Sequence, residues 1–452
     1  MKGASMNNSY DLIVVGAGPA GLMAAKTAGE DGLNVALLER KTKIAEVTRA
    51  CAMMFLGEDD SFFGERMYFS NKNKKMVFPV NGFSVPYAGP YKNFYGKEVY
   101  SPDGKHSMAT DDYEERVNKG DEGRLSVVFD KGALLQGLLE EAEESGVHVF
   151  RGIEVEGVEK KGEQVEVVGT GKTFTAPFVI AADGNNSRMA QKLGLNKERN
   201  FYCTVGGINA YVKGFQHPHP HSAIMIMDWD RKYGIPLIYY LLPSPYADDE
   251  RMVFVGGLAD PRLDYVSELD YLMNEGPFSS WFVNPVVSKT ISCVRNFWAP
   301  VAEPFKDNVL LVGDATWTQE AEITGSMLCG WKTAHTVANA IRLNQLNRDG
   351  VMDYLTWWKK SFPEFHDYKA FFRTLVMMAT VNRDDLNYLY SVMQGPVLFT
   401  LNPYTVPQHH LQGMLPRIQE ERPELIAKLQ KMQTTPVEES MASFAKAGFP
   451  NR

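Results

Sequence analysis

The stretch "YDLIVVGAGPAGLMAAKTAGEDG" constrains this chain more than any other. A short β-branched run, Tyr10 to Val15, ends on Gly16, and a helix-spaced run of small residues begins at Gly21. Gly16 permits a tight strand-to-helix turn, Gly18 lets the backbone approach a pyrophosphate, and Gly21 allows close helix–sheet packing. The helix N-terminus then turns free N–H groups and the positive end of its dipole toward the phosphates. A second strand, "NVALLER", ends about 20 residues on with Glu39 and Arg40, and Glu39 is placed to accept from ribose hydroxyls. Strand, glycine turn, helix and strand make a βαβ unit on a parallel sheet. The motif marks a dinucleotide and does not by itself separate FAD from NAD.

The rest of the chain narrows the class. Its 452 residues predict more than one domain. A composition 44% hydrophobic and 23% charged is that of a soluble globular protein. Net charge is -8 and no basic run stands out, which argues against a nucleic-acid partner. Cys51, Cys203, Cys293 and Cys329 lie far apart with no CxxC pair. That speaks against structural zinc, an iron–sulfur cluster or a disulfide framework, and for a reducing compartment. The longest apolar stretches fall short of a spanning helix, and the N-terminus is not a signal peptide. The expectation is a cytoplasmic protein, with peripheral membrane contact left open by 12% aromatic residues. "HPHPH" (His217, His219, His221) reads as a surface turn and not a metal site, since no acid or cysteine lies nearby in sequence. Trp357 and Trp358 read as core.

Two later segments are "VIAADGNNSRMAQKLGL", a strand ending on Asp183-Gly184, and "VLLVGDA", ending on Asp314. The order GxGxxG, ADG-x-x-S, GDA resembles the p-hydroxybenzoate hydroxylase-like flavoprotein superfamily over about residues 10 to 345. The resemblance implies an α/β fold: a Rossmann-like, two-layer FAD-binding domain with an inserted antiparallel β-sheet substrate domain and a helical C-terminal region. The expected boundaries are 8–60, 111–199 and 298–345 for FAD binding, 61–110 and 200–297 for substrate, and 346–452 for the helical region. It also implies FAD, held non-covalently, with Asp314 on the ribitol chain, Asp183 in the second motif, and Arg124 and Arg49 as cofactor-touching arginines.

Within the superfamily, "YGIPLIYYLLP…MVFVGGL" is similar to the G-Y-x-W-x-F-P…V-G-x-G strand pair of the geranylgeranyl reductase family, with the Trp and Phe replaced. Cys51 falls where those reductases place a cysteine facing the flavin, and the tail with "DYLTWWKK" resembles theirs. The glycines expected after that cysteine are absent, as the chain reads "CAMMFLG". After Asp314 the usual proline and Gly-acid-Gly step are replaced by Trp317, Glu320 and Glu322. Gly325 is expected to open a helix, with backbone amides at Gly325 and Ser326 facing the flavin edge. Glu322 serves as a proton donor if burial raises its pKa, and otherwise is a solvent-exposed loop acid; the sequence leaves both readings open.

The implied activity is reduction, or the reverse dehydrogenation, of a carbon–carbon double bond in a small apolar, polyprenyl-type substrate, with Cys51 near the reaction. The alternatives are an aromatic monooxygenase using NAD(P)H and oxygen, and a flavoprotein passing electrons to a quinone. No second dinucleotide motif marks the electron donor, be it NAD(P)H, ferredoxin or a similar carrier. A halogenase is disfavoured by the absence of W-x-W-x-I-P. The oligomeric state is not legible.

Overall fold

The computed structural model describes residues 8–51, 53, 64–316, 322–364, 376–393, 395–397, 408–436 and 439–440. The first half of the chain supplies β1 (Leu12–Val15), α1 (Pro19–Glu30), β2 (Val35–Glu39), β3 (Gly96–Tyr100), β4 (Ser107–Ala109), α2 (Lys131–Glu144) and β5 (His148–Arg151). Next come β6 (Val155–Lys161), β7 (Gln164–Gly169), β8 (Lys172–Ala176), β9 (Phe178–Ala181) and α3 (Arg188–Lys192). Long strands follow: β10 (Phe201–Phe215), β11 (Ser222–Trp229), β12 (Pro236–Pro243) and β13 (Glu250–Leu258), then α4 (Tyr265–Asn274) and β14 (Phe282–Trp298). The remainder is β15 (Phe305–Lys306), β16 (Val309–Leu311), α5 (Glu322–Arg342), α6 (Met352–Glu364), α7 (Arg383–Val392), α8 (Gln408–Glu421) and α9 (Pro423–Thr434).

The nucleotide-binding sheet has the order β5-β2-β1-β9-β16-β15. It is parallel except for the antiparallel edge strand β15. Its strands read as unbroken apolar runs because both faces are covered. Leu12, Val14, Leu37 and Ile180 pack against helices α1, α2 and α5. Ile13, Val15, Ala36 and Leu38 point the other way, onto Val165, Val167 and Phe174 of the antiparallel meander β6–β8. The expected two layers are therefore three: helices, sheet and meander. The meander is short, and β6 is largely exposed and charged on its outer side.

The second sheet runs β14-β10-β13-β12-β11-β3-β4. Five of its strands lie within 201–298, and two, β3 and β4, are recruited from before α2; β3 pairs in parallel with β11. On β10 the alternation is clean. Ile208, Ala210 and Val212 face α4 in one core, whereas Tyr211 shares the main core with Met53, Leu242 and Met252. This face of the sheet thus leans on the nucleotide-binding half.

The C-terminal region docks by apolar contact and by polar ties. Trp358 is buried and its indole N–H donates to the Val301 carbonyl, while the Tyr354 hydroxyl donates to Leu311 at the end of the parallel sheet. Helices α7 to α9 share a methionine-rich core with Val99, Met108, Met225 and Met227. The HPHPH segment does turn at the surface, with Pro218 and Pro220 exposed, but the His217 side chain is turned inward. Its ring packs on Trp281 at 4.7 Å between centroids, and its side chain is 2% exposed beside the buried Glu98. Sequence distance hid Glu98, which folding brings within 3.1 Å of His219. No group of three His, Cys, Asp or Glu among the described residues could hold a metal ion, and no described helix is long and apolar enough to cross a membrane.

Candidate active site

The ends of β1, β2 and β9 open into a cavity of about 660 Å³. Gly16 sits at its floor with φ +100°, and a Cβ there would lie 2.4 Å from the Ala182 carbonyl oxygen. Only glycine fits both demands. Gly18 is different: a Cβ would meet nothing within 4 Å, because that position faces the open cavity. It is the N-cap of α1, with Pro19 at the first helical position and no side-chain cap, so the first-turn amides stay directed at the cavity. At Gly21 a Cβ would fall 1.8 Å from the Gly16 carbonyl oxygen. These are the features of a pyrophosphate cradle, and they fit FAD.

Glu39 is buried at the end of β2. Its Oε2 accepts from the Ala17 N–H at 2.7 Å and its Oε1 from the Lys41 N–H at 2.9 Å. Each oxygen keeps a further lone pair for a ribose hydroxyl. Arg40 lies on the same rim, exposed. Asp183 lines the far wall, where its carboxylate organises the start of α3, accepting from Ser187 Oγ at 2.7 Å and from the Met189 N–H at 3.1 Å. Burial pushes its pKa up against those hydrogen bonds.

Asp314 follows β16 in a turn that begins at Gly313, φ +61°, and it lines the cavity with Ile323 and Ser326 of α5. Arg49 stands opposite. Its guanidinium donates to the Val294 carbonyl at 2.9 Å and lies 3.5 Å from Asn185 Oδ1. Burial and the neighbouring Arg295 lower its pKa, and Asp314 raises it. Cys51 and Met53 close this end of the cavity. The Ala50 N–H donates to the Ser292 carbonyl at 3.1 Å, and Asn209 Nδ2 donates to the Cys51 carbonyl at 3.3 Å. The Cys51 loop is thereby fixed to the inner face of the second sheet.

Two expectations land elsewhere. Arg124 does not line the cavity: it is buried over the Phe69 ring, donates to the Phe69 carbonyl and lies 3.6 Å from Asp121. The strand Ser126–Phe129 that follows it pairs with Tyr91–Phe94, and that small ribbon sets the arginine's direction. Helix α5 already includes Glu322, so Gly325 lies within it and does not open it. Ser326 is at the cavity wall. The side chain of Glu322, with Trp317 and Glu320, lies outside the described residues. Sequence reasoning missed Arg295, Asn185, Lys41 and Lys131, which also line the cavity; the only signal was that Asn185 follows the ADG step directly.

A glycine cradle at a helix N-terminus, a carboxylate at the end of the second strand and another after the last parallel strand define an FAD-dependent oxidoreductase, and the matches agree. The description "FAD dependent oxidoreductase" covers residues 11–190, and "FAD binding domain" covers 102–319. Digeranylgeranylglycerophospholipid reductase 1 of Methanococcoides burtonii is 30% identical over 375 residues, 79% of this chain and 81% of that one. The corresponding reductase of Methanocaldococcus jannaschii is 22% identical over 80% of this chain and 85% of its own. The chain belongs to the geranylgeranyl reductase family of FAD-dependent oxidoreductases. Among solved structures, a geranylgeranyl bacteriochlorophyll reductase-like protein from Thermoplasma acidophilum shares the fold at a TM-score of 0.64 and 17% identity, covering 94% of this chain and 99% of that one. Halogenase PltM, solved with phloroglucinol and FAD, matches at 0.60 and 14%, covering 97% and 95%.

Proposed function

We propose that this enzyme reduces a carbon–carbon double bond of an apolar, polyprenyl-type substrate, and that Cys51 stands at the reaction. The observation that carries the reading is the placement of Cys51. It closes the cavity at the end where Asp314 and Arg49 converge, and its loop lies on a sheet face built from Tyr211, Leu242, Met252 and their neighbours. The relatives' names supply the substrate class.

FAD bound in the cavity, once reduced by an external electron donor, would supply the hydride. The chain's residues do the rest. The α1 amides would hold the pyrophosphate and Glu39 the adenosine ribose, and Asp314 and Arg49 would hold the ribitol side. The Asn209 contact fixes the Cys51 loop to the second sheet, so that its thiol would be presented at the flavin end of the cavity as a hydrogen donor. The electron donor is a separate partner, and attachment at a membrane surface would suit a lipid substrate.

The test is anaerobic stopped-flow absorbance of the reduced holoenzyme mixed with a polyprenyl alkene, a quinone analogue or oxygen. Reoxidation by the alkene alone, slowed by about 10²-fold or more in Cys51→Ser while flavin loading stays at the wild-type level, is the expected result. Fast productive reoxidation by a quinone, or by oxygen with hydroxylation of a phenol, would replace this reading with one of its two rivals.

A further inference from the structure

We propose that Met53 is the positioning residue that aims the Cys51 thiol, through a left-handed turn whose N–H donates to the sulfur. The inference rests on the reduction reading above and deepens it, since that reading needs a hydrogen donor held in one direction. Saturating a double bond removes one π pair and makes two C–H bonds. One hydrogen arrives with its electron pair and the other as a proton. The proton is the one at issue here. The S–H bond of Cys51 breaks as a C–H bond forms, and water in the open cavity later returns a proton to the partly exposed sulfur.

The backbone at Met53 is an outlier. Six described residues other than glycine have a positive φ. Four of them, Asn284, Asp307, Asn308 and Asn344, are of the types that visit this region most readily. Lys74 lies exposed in the turn between the short strands Tyr68–Ser70 and Lys75–Phe78. Met53 is the sixth, at φ +52° and only 2% exposed. A long side chain in that conformation costs free energy, and it persists only where its surroundings over-determine it.

Those surroundings are explicit. The Met53 carbonyl accepts from the Phe129 N–H at 2.8 Å, on the strand Ser126–Phe129, and its Sδ from the Tyr211 hydroxyl at 3.9 Å, on β10. Two separate elements thus grip one residue. The N–H held between them donates to Cys51 Sγ at 3.4 Å. The Cys51 main chain is already fixed, through Ala50 to Ser292 and through its own carbonyl to Asn209. What remains is rotation of the thiol about its Cα–Cβ bond, and the Met53 N–H settles it. A sulfur that accepts on one side turns its own hydrogen away from that donor. When the proton leaves, the same N–H faces the thiolate, and a hydrogen bond to the charged form favours it.

The experiment compares Met53→Val with Met53→Gly in the holoenzyme. Both lose the thioether that Tyr211 holds. Glycine takes a positive φ at no steric cost, whereas a side chain branched at Cβ resists it. Glycine also gives up more packing, so a residue that only filled space would make it the worse variant. Positioning predicts the reverse order. In anaerobic stopped-flow at saturating polyprenyl alkene, Met53→Val should be reoxidised about 10²-fold more slowly than wild type, the low end for a lost general acid. Met53→Gly should recover most of that loss. A readout free of turnover is alkylation of Cys51 by iodoacetamide in the oxidised holoenzyme, followed by peptide mass. Its pH profile should move to higher pH in Met53→Val and back toward wild type in Met53→Gly. An enzyme carrying the α-hydroxy analogue of methionine at position 53 has an ester oxygen in place of the N–H and keeps the side chain. Its profile should also move to higher pH, and it decides the matter if Met53→Val purifies without flavin. A glycine variant no faster than the valine one, or an ester enzyme with the wild-type profile, overturns the assignment. A wild-type enzyme that the alkene does not reoxidise removes the reduction reading itself, while the alkylation profiles still decide whether Met53 directs the thiol.

Discussion

At the scale of single residues, the three glycines of the cradle carry different burdens, and substitution separates them. A Cβ at Gly18 meets no protein atom within 4 Å, so a valine there occupies the space a pyrophosphate needs. Gly18→Val should therefore fold with a near-native thermal midpoint and purify without flavin, which absorbance at 450 nm would show. Gly16→Ala should behave oppositely: its Cβ is driven into the Ala182 carbonyl at a positive φ, so the protein itself loses stability. Asp314→Ala leaves the turn at Gly313 intact and removes one charge-assisted contact. A loss of about 1.5–3 kcal/mol is expected, which is roughly a tenfold to hundredfold weaker FAD dissociation constant in a flavin fluorescence titration.

At the scale of elements, what the sequence disclosed depended on whether a contact was local. The turn between β1 and α1, Glu39 at the end of β2 and Asp314 after β16 are each dictated by neighbours within a few residues, and each lies where the spacing puts it. Arg124 failed because its direction is set by a strand pair, Tyr91–Phe94 with Ser126–Phe129, whose register spans some thirty residues. The same holds for His217, buried by Glu98 and Trp281 from distant segments, and for Arg295, which reaches the cavity only because β14 folds back along β10. The crossing of α1 and α5 is another long-range fact. A Cβ at Gly330 would lie 2.2 Å from the Ala20 carbonyl oxygen, so the two helices touch backbone to backbone. Gly330→Ala must push them apart, and a loss of about 1–3 kcal/mol is expected from the denaturant midpoint at unchanged m-value.

At the scale of the whole molecule, the sheet and the C-terminal helices are joined by a buried charge. Asp228, 4% exposed on β11, accepts from the Arg383 guanidinium at 3.0 Å at the start of α7, and the adjoining Trp229 indole donates to the Met378 carbonyl. Burial raises the Asp228 pKa to about 6 despite the arginine beside it. The sign follows directly: between the unfolded value near 3.9 and about 6 the folded state holds the proton more tightly than the unfolded chain does. On this group's account, stability is greatest below that window and falls as pH rises through it, by an amount on the order of 2–3 kcal/mol. Asp228→Asn keeps the shape and an oxygen for Arg383 but removes the titration. Its unfolding free energy, relative to wild type, should rise by that amount between about pH 4 and pH 6.5 and stay flat above. Paired urea titrations across that range measure it, and a difference that stays constant with pH would show that the Arg383 pairing holds Asp228 ionised throughout. The outcome bears on the active site as well, because β11 pairs with β12, and β12 carries Leu242 on the apolar face that meets Tyr211 and Met53. A joint that loosens as Asp228 ionises would be felt there.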